Sequence, residues 1–78
     1  MSAARPLITQ LPIGARVKLT GIAGGRQLTA KLRSLGLTIG SEMEVLHHRG
    51  RGVVVGKDGN RVALGGGVAE KLQIEALD

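Results

Sequence analysis

Seventy-eight residues with no cysteine, no aromatic residue and 13 glycines make one small unit. Surface scaling leaves such a chain able to bury only about 60% of its extended surface, close to the lower limit for a lone core. The lack of cysteine excludes disulfides, thiolate nucleophiles, iron–sulfur ligation and cysteine-bound zinc, and it suits a reducing compartment. Charge is uneven: residues 1–41 carry six basic and no acidic residues, whereas residues 42–78 carry five basic and six acidic ones. A one-sided balance of that kind suits a face that meets something negative.

In chain order, residues 1–6 read as a loose end, with one positive charge and no apolar core of a leader, and 7–78 as a single domain. No stretch approaches the roughly 18 apolar residues that span a bilayer, so direct membrane insertion is not expected. Ala15 to Ala23 alternates Val17 and Leu19 with Arg16, Lys18 and Thr20, the period of a half-buried strand. From Arg26 the period changes. Leu28, Leu32, Leu35 and then Ile39 follow helical spacing, while Arg26, Gln27, Lys31 and Arg33 take the other sides, which predicts one short amphipathic helix over 26–35. Lys31 and Arg33 suit the negative end of its dipole, and Gly36 is placed to end it in the left-handed conformation.

Ser41 to His48 alternates again, with Met43 and Val45 on one face and Glu42, Glu44 and His48 on the other. Arg49 to Gly52 reads as a flexible basic turn, and Val53-Val-Val55 as a strand covered on both sides. Asp58-Gly59 is a strong type I′ hairpin signal joining 53–56 to 61–64. Gly65-Gly-Gly67 breaks the chain, residues 68–71 allow at most one helical turn, and Leu72 to Leu77 alternates as a closing strand. About five short strands and one helix are best buried by curling into a small β-barrel, since an open sheet of this size leaves two edges bare.

The run Leu11-Pro-Ile-Gly14, Gly24-Gly25, Leu32-Arg-Ser-Leu-Gly-Leu-Thr-Ile-Gly40, Glu44-Val45, Val62-Ala-Leu64, Val68-Ala69 and Leu72-Gln-Ile74 resembles the FeoA family over nearly the whole chain. The resemblance implies a mainly β, SH3-like small barrel. It also implies a bacterial, cytoplasmic role in ferrous iron uptake, with the membrane GTPase transporter FeoB as partner. Similar domains form the C-terminal part of some metal-dependent repressors, whose DNA-binding segment 78 residues cannot hold. Two features depart from the family pattern: Gly65–Gly67 stands where a polar or charged residue is usual, and no aromatic anchor is present.

The chemical inventory is short. No nucleophile, base and orienting group converge around the adjacent His47-His48, so the chain does not read as an enzyme. Gly21 to Gly25 precedes the helix but lacks the Walker spacing and its Lys-Ser/Thr, so these glycines read as a corner. A ferrous site wants two histidines and a carboxylate converging, yet consecutive strand residues diverge, and Glu42, Glu44 and His48 would form a flat row open to water. No metal site or cofactor is expected. The competing class is a non-specific nucleic-acid-binding barrel, supported by the basic half and opposed by the lack of aromatic stacking platforms. The preferred reading is a protein-docking module, with Lys18, Arg26, Lys31 and Arg33 as contact residues.

Overall fold

The computed structural model describes residues 7–77, so the expected loose segment 1–6 lies outside the described residues. After a 3-10 turn at Ile8–Gln10 come β1 (Arg16–Ile22), α1 (Gly25–Ser34), β2 (Glu42–Arg49), β3 (Gly52–Lys57), β4 (Asn60–Leu64), the four-residue α2 (Gly66–Ala69) and β5 (Leu72–Leu77). The strands form one antiparallel sheet in the order β4-β3-β2-β1-β5, curled about its core but not closed. Each strand sends two side chains inward: Val17 and Leu19, Met43 and Val45, Val53 and Val55, Val62 and Leu64, Leu72 and Ile74. Ile8, Leu32, Leu37 and Ala69 seal the ends from the connecting segments. With no aromatic ring available, aliphatic side chains of similar size fill the space, and the strand alternation sets which of them point in.

The helix departs from its expected stripe. Leu32 is wholly buried, but Leu35 is 43% and Ile39 60% exposed, and Leu37 is buried in their place. The cause is the way α1 ends. Gly36 takes φ +89, its N–H donates to the Arg33 carbonyl at 3.0 Å, and the Leu37 N–H donates to the Leu32 carbonyl at 2.8 Å. This is a Schellman cap, in which the residue after the left-handed glycine folds back onto the last helical turn, so the apolar seal jumps from Leu35 to Leu37.

Two further expectations are corrected. Val53-Val-Val55 is not covered on both sides: Val53 and Val55 are buried, while Val54 faces outward beside Ala63 and His47. The basic turn is a tight two-residue link, because β2 runs to Arg49 and pairs with Gly52 at the start of β3. Gly52 is required there: a Cβ would lie 2.3 Å from the Leu64 carbonyl oxygen. The glycine run after β4 opens α2, and a Cβ on Gly66 would sit 2.8 Å from that of Arg51. Close approach accounts for glycine at positions 52 and 66, whereas a Cβ at Gly65 or Gly67 would meet nothing within 4 Å.

Candidate interaction surface

The outward face of β1 is matched in charge by its neighbours. Lys18 stands opposite Glu42 on β2 and Glu75 on β5, and Arg16 opposite Glu44. Arg16 Nη2 also lies 3.9 Å from Glu42 Oε1. Directly opposed side chains on one sheet face approach to about 5 Å between Cβ atoms, so Lys18 has an acidic residue on either flank.

The helix is different. Its sequence from Gly25 to Ser34 holds three cations and no acid. None of Arg26, Lys31 and Arg33 lies within 4 Å of a carboxylate among the described residues, where the two ion pairs are Arg16–Glu42 and Lys57–Asp58. Seven residues make nearly two turns, which sets Arg26 and Arg33 on one face about 10 Å apart along the axis. Together with Gly25, Thr29 and Ala30 they line a shallow depression of about 440 Å³. Lys31, about 200° round the helix from Arg33, falls on the other flank beside the exposed Leu35. Thr29 Oγ1 donates to the Gly25 carbonyl at 2.8 Å and Ser34 Oγ to the Lys31 carbonyl at 2.6 Å. Both hydroxyls are thereby turned back onto the helix. The depression therefore has an alanine floor between two guanidinium groups. Of the four residues singled out by sequence, the structure brings Arg26 and Arg33 together and holds Lys18 and Lys31 apart from them. Ala30 was not legible as part of a surface, because one alanine in a helical pattern carries no signal.

The histidines are set by a bulge. The β2–β3 register shifts between Val45 and His47, so His47 pairs with Val54 and His48 with Val53. One extra residue reverses the alternation, which moves His48 off the face of Glu42 and Glu44 onto the inward side of the strand end. The expected row of Glu42, Glu44 and His48 is not formed. Instead His48 Nε2 meets the Leu11 carbonyl at 2.6 Å, and a carbonyl only accepts, so that nitrogen carries a hydrogen. No group of three or more histidine or acidic side chains among the described residues could hold a metal ion. No described helix is long and apolar enough to cross a membrane.

A five-stranded antiparallel sheet whose first and last strands pair, with a short helix between β1 and β2, is a mainly β fold of the SH3-like class. The crystal structure of the iron uptake regulatory protein FeoA matches it with a TM-score of 0.83 at 28% identity, over 96% of this chain and 100% of that one. A manganese-dependent transcriptional repressor matches at TM-score 0.83 and 21% identity, but the chain spans only 38% of that protein, and the likeness is one of fold alone.

Residues 7–76 match the FeoA domain, and the chain belongs to the FeoA family. It is 31% identical over 62 residues to a protein of Methanocaldococcus jannaschii named Fe(2+) transport protein A, covering 80% of this chain and 76% of that one. The family is one of accessory proteins of ferrous iron transport.

Proposed function

We propose that the chain acts in the cytoplasm by docking on FeoB, the membrane GTPase transporter, and modulates ferrous iron transport through that contact without holding the iron itself. The observation that carries the reading is the exposed face of α1, where Arg26 and Arg33 flank Ala30 and neither has an acidic neighbour. A solvated cation gains little from an exposed partner in its own chain, but two of them left unmatched on a small-residue floor suit an acidic surface brought by another protein. Lys18, with acids on both sides, contributes less to such a contact, and Lys31 borders it through the neighbouring Leu35.

The test is association with the purified cytoplasmic domain of FeoB, followed by stopped flow with a dye-labelled protein. Arg26→Glu with Arg33→Glu should slow the on-rate by about tenfold at low salt, with the difference shrinking as ionic strength rises. Lys18→Glu is the comparison and should change the on-rate much less. Binding that is indifferent to the double reversal would overturn the assignment of the surface. Sub-micromolar binding of labelled oligonucleotides near physiological salt, with no FeoB association, would overturn the docking function itself.

A further inference from the structure

The sheet order leaves β4 at an edge, on the far side of the sheet from the strand that leads into α1. Among the described residues β3 is its only substantial neighbour. The hairpin fixes which backbone groups are left over. Lys57 pairs with Asn60 across Asp58-Gly59, whose φ values of +52 and +82 are those of a type I′ turn. In a two-residue hairpin the pair closing the turn is hydrogen-bonded, and bonded pairs then alternate with unbonded ones. Val55–Val62 and Val53–Leu64 are therefore bonded pairs, while Gly56–Arg61 and Val54–Ala63 are not. The N–H and C=O groups of Arg61 and Ala63 consequently point away from β3, toward the open side.

Side chains around this edge point to what would cover it. Residues 59–69 contain one cation, Arg61, and no acid. Beyond the far end of β4, Arg51 packs against Gly66. Neither arginine has a carboxylate within 4 Å among the described residues, although Arg61 shares a hollow with Glu42 and Glu44 and Arg51 shares one with Glu70. Asp58 is already engaged by Lys57 at 2.8 Å. On the inward side Val62 keeps 8% exposure, whereas its partner Val55 keeps none. The core thus stops slightly short of closure along β4. We infer that the free edge of β4 is a strand-addition site for an extended acidic segment of a partner protein. Acids of that segment would sit on the outward face near Arg61 and toward Arg51, and alternate apolar residues would cover Val62 and Leu64. Main-chain bonds supply affinity in this mode, and alternating side chains supply selection. A second copy is a poorer occupant in the registers that set Arg61 opposite or diagonal to its symmetry mate, where like charges repel. Self-pairing centred on Ala63, which avoids this, is the alternative that sedimentation tests. This surface is separate from α1 and stands independently of the FeoB reading.

Amide hydrogen exchange by NMR on the whole chain tests it, with an eight-residue peptide alternating glutamate and valine as the probe. At saturation the amides of Arg61 and Ala63 should exchange at least about tenfold more slowly, while those of Val62 and Leu64, already bonded to β3, stay as they were. A peptide of the same composition with its glutamates contiguous should bind more weakly. Ala63→Pro removes a donor that faces away from β3, a position where an edge strand tolerates proline, and should abolish peptide binding while the far-UV circular dichroism is kept. The wild-type exchange pattern is informative even if that variant does not fold. Peptide binding without slowed exchange at Arg61 and Ala63, or no binding, would overturn the inference. So would protection of both amides in the free protein together with a dimer in sedimentation, because a second copy would then hold the edge.

Discussion

Replacing Leu32 with alanine tests the central claim about the helix, that Leu32 is its one wholly buried side chain, with Leu28 packed partly beside the core and Leu37 joined on by the Schellman cap. Leu32 is fully buried, and its carbonyl accepts from the Leu37 N–H at 2.8 Å. Leucine to alanine removes three carbons, a transfer loss of about 2.4 kcal/mol at about 0.8 kcal/mol per group, and the cavity left behind raises this to about 3–4 kcal/mol. A chain of this length has a total stability of about 4–12 kcal/mol, so the variant should be severely weakened. Its midpoint should fall by about 12–32 °C. Because the protein has no tryptophan or tyrosine, the measurement is urea and thermal unfolding followed by far-UV circular dichroism. Leu35→Ala, at a position 43% exposed, should cost less than about 1 kcal/mol in the same assay. The double change of Leu32 and Leu37 should cost less than the sum of the two single changes, since one void is shared between neighbours. A loss below about 1 kcal/mol for Leu32→Ala, or equal losses at positions 32 and 35, would refute the packing described for α1.

Gly52→Ala forces a methyl group to 2.3 Å from the Leu64 carbonyl oxygen and should cost about 2 kcal/mol or more, read by the same unfolding curves. Lys18→Glu places a third carboxylate between Glu42 and Glu75 and should lower stability by about 0.5–1 kcal/mol at low ionic strength, with partial recovery in high salt. Arg26→Glu, with no carboxylate near it, should change stability by less than about 0.5 kcal/mol. Arg16→Ala breaks an exposed ion pair at 3.9 Å and should likewise stay within about 0.5 kcal/mol by denaturant unfolding.

Strand positions were legible because alternation survives in short segments: Val17 and Leu19, Met43 and Val45, and Leu72 and Ile74 all point inward where the period places them. The Asp58-Gly59 turn was legible for a local reason, its demand for positive φ at both residues. Where the reading failed, the deciding interaction lay elsewhere in the chain. Ile8 is wholly buried, yet one apolar residue in a non-repeating segment carries no periodic signal. Helical spacing extended the stripe through Leu35 to Ile39, because a period cannot register the reversal at Gly36. The bulge beside Leu46 is invisible in composition and turns His48 to the opposite face. For the interaction surface, sequence supplied the acid-free cationic helix. It could not show that Lys18 has Glu42 and Glu75 as neighbours, since that pairing joins three strands far apart along the chain.

The pairing of Arg16 with Leu77 and Ile22 with Leu72 places the first strand between β2 and β5, which follows it by some fifty to sixty residues. While the chain is still emerging from the ribosome, β2, β3 and β4 can zip together through two tight hairpins, but β1 has only half of its partners. Closing a loop of some fifty to sixty residues is entropically slow, and contacts so distant in sequence delay folding. The nascent protein must therefore carry the valine and leucine of β1 incompletely covered until residues 72–77 are free of the exit tunnel. Transiently exposed apolar surface of this kind is what makes folding intermediates prone to aggregation.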